Sequence, residues 1–318
     1  MPVPTATGYP DYGYGTPGSP GNAHIPILFS GKLLTKFYEK STIANIATTD
    51  YVGELKNVGD RVTIRTLPSV TIKDYQKGAT IDLEYPESPA IEFTVNRAKY
   101  FNFAMDDIDI KESDLEWLDK LADDAAQQIK IKIDTEVFST IYTKADSANQ
   151  GATAGVKSGA FNLGTAGGTA PSPVTLDKTN ILDYIVDCKT VLDEQNVPEE
   201  NRWIVLPPIM MGLLDKSDLR NAAFAGDGQS YLLRGGFTGK TIAGFNLYES
   251  NLLYRDPTTG AYYIPFGWKG CLVYVSQINK TERYRPQNTF AEAMKGLIVY
   301  DFDVILPKAL GVLFATVG

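Results

Sequence analysis

The sequence is short of the side chains on which most protein chemistry is built. Its 318 residues include one histidine, His24, and two cysteines, Cys188 and Cys271. One histidine excludes a His-cluster metal centre, and two cysteines make neither a disulfide framework nor a thiolate metal site. The cysteines read as small buried apolar residues. His24 stands among prolines and glycines and reads as a solvated loop residue, not a general base. A basic excess is also missing: 30 Lys and Arg face 38 Asp and Glu, a formal net charge of −8. Wrapping nucleic acid requires clustered cations, so that function is disfavoured. An acidic chain can still lie beside DNA without sticking to it. No run approaches the ~18 apolar residues of a membrane span. No Lys or Arg precedes Lys32 and there is no apolar h-region, so neither a secretory signal nor a transit peptide is visible. The expectation is a protein made and folded in a cytoplasm, with no membrane partner.

Catalytic motifs are missing in the same way. GFTGKT (236–241) resembles a phosphate loop, but the spacing needs glycine where Arg234 stands. GYGTPG (13–18) fits a dinucleotide fingerprint by letter only, because prolines on both sides forbid the flanking strand and helix. No G-x-S-x-G, H-E-x-x-H or C-x-x-C occurs. Asp106-Asp107 and Asp123-Asp124 are adjacent in sequence, which does not place two carboxyls across a cleft; they read as a helix start or a solvated face. Asp301 and Asp303 would share one face of a strand, read here as an exposed face. No catalytic residue, cofactor site or metal site is assigned, and no enzyme is expected. The 18 tyrosines and 14 phenylalanines are spread along the chain, which favours packing over a lectin or sugar-active cleft.

What is present is a chain with 43% hydrophobic residues, enough for one large domain or two ordinary ones. Residues 1–31 interleave proline, glycine and tyrosine and read as an extended arm, either disordered or laid along another surface, with the tyrosines favouring the second. Residues 27–47 suggest a short amphipathic helix and its exit. From Val62 to Val95, apolar residues alternate at Val62/Ile64, Val70/Ile72, Ile81/Leu83 and Ile91/Phe93/Val95 between turn signals. That spells short half-buried strands with too few large apolar residues for a core of their own. Ser113 and Glu116 form a capping box. Leu115, Leu118, Ala122, Ala125, Ile129, Ile133, Val137 and Ile141 then mark one face of a helix over 114–143, roughly 45 Å long. Residues 146–173 read as a long surface loop or weak hairpin, and as the best domain boundary. A helix follows near 178–195. RWIVLPP (202–208) reads as a buried strand whose second proline opens the next helix. Two strand regions, KTIAGFNLYES and WKGCLVYVSQI, flank a turn at RDPTTGAYY.

The order of these parts resembles the major capsid proteins of tailed bacteriophages, whose fold is named after phage Hong Kong 97. GKTIAGFNLYESNLL (239–253), RWIVLPP and ERYRPQNTFAEAMKGLIVYDFDVILPKALGVL (282–313) carry the likeness. The resemblance implies an α+β fold of Hong Kong 97 type: an N-terminal arm (1–50), an extension-loop β-hairpin with flanking strands (51–103), a peripheral domain (104–179) with a long spine helix, and a mixed α/β axial domain (180–275). A peripheral-domain return (276–300) and an axial C-terminal strand (301–318) complete it. It implies hexamers and pentamers of the chain in an icosahedral shell around double-stranded phage DNA, assembled in the host bacterial cytoplasm. The DNA would meet the inner face without sequence-specific binding. Scaffolding and portal proteins, and in some relatives a decoration protein, are the implied partners. The hairpin would lie on a neighbouring copy, with its tip at Lys73, Asp74, Tyr75, Gln76, Lys77 and Gly78. The loop and strand from Glu282 to Phe290 would meet neighbours around three-fold axes through Glu282, Arg283 and Arg285, with Asp106, Asp107 and Asp109 as acidic partners on other subunits. The alternatives are an encapsulin-like compartment around an enzyme, or another phage structural protein such as a tail tube subunit.

Overall fold

A computed structural model of the protein describes residues 38–49, 61–65, 68, 70–74, 76–78, 80, 83–85, 90–112, 117–167, 171–217 and 241–318. The expected arm before residue 38, the capping box at Ser113 and Glu116, and the GFTGKT loop before Thr241 lie outside these residues.

Two larger sheets and a two-stranded ladder organise the described residues. The first has three antiparallel strands in the order β3 (Arg97–Asp106), β10 (Ala291–Val304), β9 (Leu272–Tyr284). β10 is central, with Ala291 opposite Asp106 and Tyr300 opposite Arg97 along one edge. Burial alternates along β3, as a sheet with one covered face requires. Gly296 sits where a Cβ would lie 2.3 Å from the Phe101 ring, so the ring packs flat over the strand.

The second sheet has six strands in the order β4 (Val174–Leu176), β11 (Leu310–Val317), β8 (Tyr262–Trp268), β5 (Arg202–Leu206), β7 (Phe245–Glu249), β6 (Thr241–Ile242). β11 and β4 run parallel, as do β5 and β7; the other pairs are antiparallel. Every residue of β5 is buried, which is why WIVL (203–206) is an unbroken apolar run. Its one charged residue is fully enclosed. The Arg202 guanidinium donates to the carbonyls of Val197 (2.6 Å) and Pro198 (2.8 Å) and pairs with Asp193 at 2.6 Å, fastening the strand to the end of α4 (Ile181–Glu194). Pro208 opens α5 (Pro208–Asp215), where its missing N–H costs nothing.

The link between the sheets is not a free surface loop. Within 146–173, backbone bridges pair Ala154 with Phe161 and Thr165 with Ser172, a weak hairpin as expected, but Ala154 and Leu163 are fully buried. The Phe314 N–H donates to the Leu163 carbonyl at 2.8 Å, which binds the link to β11. Gly164 makes this approach possible: its φ is +81°, and a Cβ would lie 2.2 Å from the Phe314 oxygen.

The long helix α3 spans Trp117–Phe138, about 33 Å at 1.5 Å per residue. It ends five residues short of the sequence expectation, and Ile141–Lys144 continues as a 3-10 turn. The Ser139 and Thr140 hydroxyls both donate to the Glu136 carbonyl (2.9 and 2.8 Å) and compete with the backbone ladder there. The apolar stripe is most deeply covered toward its end: Ile129, Ile133, Val137 and Ile141 are buried, whereas Leu118, Ala122 and Ala125 are half-buried. The end of the arm crosses this covered part. The short helix α1 (Ile43–Ile46) inserts Ile43 and Ile46 into the main core. Ahead of it, the buried Asp134 carboxylate of α3 accepts from the Thr42 N–H (2.7 Å) and the Ser41 hydroxyl (3.1 Å). Thr48 then bridges to β9 beside Val273.

The strand DFDV corrects the expectation of an exposed acidic face. Asp301 is buried, accepting from the Asn96 N–H (3.0 Å) and Arg97 Nε (3.1 Å). Asp303 pairs with Lys144. The partners come from about 160 to 205 positions away, beyond the reach of any local pattern.

Candidate assembly surfaces

The hairpin begins as a ladder and continues as something else. β1 (Arg61–Arg65) pairs antiparallel with β2 (Ala90–Thr94), Arg61 opposite Thr94 and Arg65 opposite Ala90. Ile64 and Ile91 pack on a small second core of Phe93, Val95, Val273, Val275, Val299 and Ile305. This core roots the hairpin in the three-stranded sheet. Beyond it, the Glu84 carboxylate accepts from the Thr71 N–H (3.2 Å) and hydroxyl (3.1 Å), which ties the two arms together. The described residues between 68 and 85 form no regular strand. Their apolar side chains face solvent: Val70 is 62% exposed, Ile72 90%, Leu83 77% and Tyr85 82%. At the tip, Lys73, Asp74, Gln76, Lys77 and Gly78 are exposed, and Gly78 turns the chain at φ +89°; Tyr75 lies outside the described residues. Alternation in sequence is thus met by alternation without a surface to lie on.

The far end of the three-stranded sheet forms a second projecting surface. The chain leaves β3 through α2 (Asp107–Glu112) and turns from β9 into β10 through residues 285–290. Asp106 starts α2 by accepting from the Ile108 N–H at 3.0 Å, and Asp107 and Asp109 occupy the first turn, where carboxylates suit the helix dipole. The Asp107 N–H donates to the Phe290 carbonyl (3.0 Å), which holds the turn against α2.

The three charged residues expected here have partners within their own chain. Arg285 Nη2 lies 3.4 Å from Asp107 and 3.2 Å from Glu292. Arg283 pairs with Asp119 of α3. Glu282 sits between Lys280 (2.5 Å) and Lys295 (3.1 Å), and hydrogen bonds from these two lysines hold its carboxyl below the ordinary range. Asp109 is exposed on α2. A cleft of about 450 Å³ opens beside these arginines, lined by Leu118, Arg283, Tyr284, Arg285, Glu292 and Ala293. Two apolar residues of this end are exposed beside the charged ones: Phe290 (85%), the last residue of the expected contact segment but not singled out within it, and Ile108 (64%), which sequence reasoning missed. The signal was available: Phe290 follows Arg-Pro-Gln-Asn-Thr, a polar turn in which a large aromatic has no core to enter.

A further charged cluster joins the helix to this sheet. Glu136 of α3 accepts from the Arg97 guanidinium and from the Tyr300 hydroxyl (2.7 Å), and lies 2.9 Å from Lys99 Nζ. Arg97 also reaches Asp301 and stacks over the Phe302 ring at 4.5 Å. Partial burial pushes the Glu136 carboxyl up, but hydrogen bonds from Lys99, Tyr300 and Arg97 outweigh it and hold the pKa down to about 2. Among the described residues no group of His, Cys, Asp or Glu is arranged to hold a metal, and no helix is long and apolar enough to cross a membrane.

Two projecting surfaces with exposed apolar side chains are what a protein that works by contact presents. The family of phage capsid proteins matches residues 92–313, more than half of the chain, and the protein belongs to that family. It is a major capsid protein with the Hong Kong 97 fold, whose copies build the shell of a virion. Among solved structures, that of Mycobacterium phage Che8 is 23% identical with a TM-score of 0.68, covering 92% of this chain and 97% of its own. The mature capsid of bacteriophage PhiM1 is 18% identical with a TM-score of 0.64, covering 95% of each chain. That of Gordonia phage Cozz is 16% identical with a TM-score of 0.61, covering 100% of this chain and 98% of its own. These likenesses show the fold. No curated protein matches.

Proposed function

We propose that the chain assembles through hexamers and pentamers into an icosahedral shell enclosing double-stranded DNA, and that the hairpin of 61–94 completes itself on a neighbouring copy. The carrying observation is the outward set Val70, Ile72, Leu83 and Tyr85. Exposed apolar residues in a segment without a ladder are a hazard in a monomer and a directed contact in a closed array. Each contact can be weak, because every subunit makes several at once and the contacts multiply. In this reading the three-stranded sheet with α3 is the peripheral domain and the six-stranded sheet with α4 and α5 the axial domain. The loops of the axial domain would surround the symmetry axes. The turn at 285–290, with Arg283, Arg285 and the acids of α2, lies near three-fold axes.

The shell is a container, not an enzyme. Its net charge of −8 suits a wall past which DNA must slide without trapping. Scaffolding and portal proteins are the expected assembly partners in the bacterial cytoplasm, with a decoration protein where the lattice needs one. Replacing Val70, Ile72, Leu83 and Tyr85 together by serine tests the reading. The expected result is a folded chain that no longer forms particles; full-sized particles from this variant would refute it. Mass spectrometry of wild-type particles should find DNA-packaging components, and a single enzyme cargo would count against the genome-container role.

A further inference from the structure

We infer that the peripheral end carries a knob and a socket for another copy of this chain: Phe290 of one copy enters the cleft between Leu118 and the Arg283–Arg285 pair of the next. This rests on the shell reading and assigns the contact to residues. Phe290 is 85% exposed and does not line the cleft of its own chain. It is nonetheless fixed in place, because its carbonyl takes the Asp107 N–H at 3.0 Å. A large aromatic held outward at a fixed position has the character of an interface anchor. Ile108, exposed one residue beyond that hydrogen bond, extends the apolar surface.

The cleft suits such a knob. Its lining combines the half-buried Leu118, the Tyr284 ring and two arginine side chains. Arginine stems are apolar and guanidinium planes attract aromatic faces, so an inserted phenyl ring meets favourable partners in Leu118, Tyr284 and the arginines, while Glu292, held by Arg285, lines the remaining wall. The charges explain why the ring, and not an ion pair, supplies the binding. Arg283 already holds Asp119, and Arg285 holds Asp107 and Glu292, all within one chain. Trading such exposed pairs for equivalent ones on a neighbour gains little. Their remaining role is orientation. The same end presents both signs, Asp106, Asp107 and Asp109 on α2 and the arginines beside it, and is therefore self-complementary. Knob and socket are different patches of one surface, so a head-to-tail contact between copies is available, and around the three-fold axes of the proposed shell it closes into a ring.

The experiment compares the concentration needed for particle formation by the full chain and its variants, with light scattering and electron microscopy as readouts. Phe290→Ser is expected to raise that concentration roughly thirtyfold, and Arg285→Ala, which removes one wall of the socket, by a smaller factor of about fivefold. Thermal melts of the unassembled variants should match wild type, since Phe290 contributes no core. As an independent test, Phe290→Cys combined with Leu118→Cys should give disulfide-linked oligomers on oxidation of assembled particles, visible as a ladder on non-reducing gels; neither single variant should. Particle formation by Phe290→Ser at the wild-type concentration, or a double-cysteine shell that never crosslinks, would overturn the inference. So would variant shells of normal yield that fail only to hold an added decoration protein. Failure of the wild-type chain to form particles at all would instead remove the shell reading beneath it.

Discussion

Glu136 ties α3 to both β3 and β10, and its replacement by glutamine should loosen the helix from the sheet in a manner that depends on pH. The carboxylate receives Arg97, Lys99 at 2.9 Å and the Tyr300 hydroxyl at 2.7 Å. Its pKa falls from the ordinary 4.5 to about 2. Taken whole, that drop is worth about 3.4 kcal/mol. Arg97 and Lys99 are 36% and 42% exposed, however, and solvent screening reduces the value to about 1–2 kcal/mol. The sign follows from the depressed pKa. The stabilisation is complete above about pH 4.5, where the unfolded chain is also ionised, and disappears as pH falls toward 2. Urea unfolding of unassembled chain at pH 7 should therefore show Glu136→Gln destabilised by about 1–2 kcal/mol. The gap between variant and wild type should shrink steadily below about pH 4.5. A gap that is constant with pH, or that widens in acid, would refute the charged clamp and leave Glu136 as a mere packing residue.

Gly164→Ala should cost about 2–4 kcal/mol, because the new methyl meets the Phe314 carbonyl at a left-handed backbone position. Gly244→Ala, also left-handed at φ +82° but with nothing within 4 Å, should cost only about 1–2 kcal/mol. Denaturant midpoints of the two variants give the comparison, and equal losses would contradict the close approach. Cys188 and Cys271 are wholly enclosed, and burial pushes the Cys271 thiol up to about 12 and Cys188 higher still. Native protein at pH 8 should resist iodoacetamide at both sites and react only after unfolding; rapid native labelling seen by mass spectrometry would show that the core opens.

Much of the architecture is legible in the sequence because it is local. RWIVLPP states a buried strand and the start of α5 in seven letters, and both form where expected. The stripe from Ile129 to Val137 names the buried face of α3. The helix end was misjudged because the side chains of Ser139 and Thr140 compete for a carbonyl that an apolar count ignores. Asp301 was misjudged because its partners, Asn96 and Arg97, are about 200 positions distant. Residues 146–173 look like solvent-facing chain by composition, yet a few buried contacts such as Leu163 against β11 hold them down. The assembly surfaces were half visible. Alternation in 62–95 announced strands in need of a surface, and Arg283 and Arg285 announced charge. Only the folded chain shows that those arginines are already engaged within it and that Phe290 and Ile108 stand free of the core.

The shell itself is the quantity to measure. Electron microscopy of purified particles, made from the wild-type chain and from the chain with serine at Val70, Ile72, Leu83 and Tyr85, asks directly whether this protein is completed by its own copies. Closed hollow particles from the first and folded, unassembled chains from the second are the expected pair. Tubes or soluble monomers from the wild type, or normal particles from the variant, would contradict it.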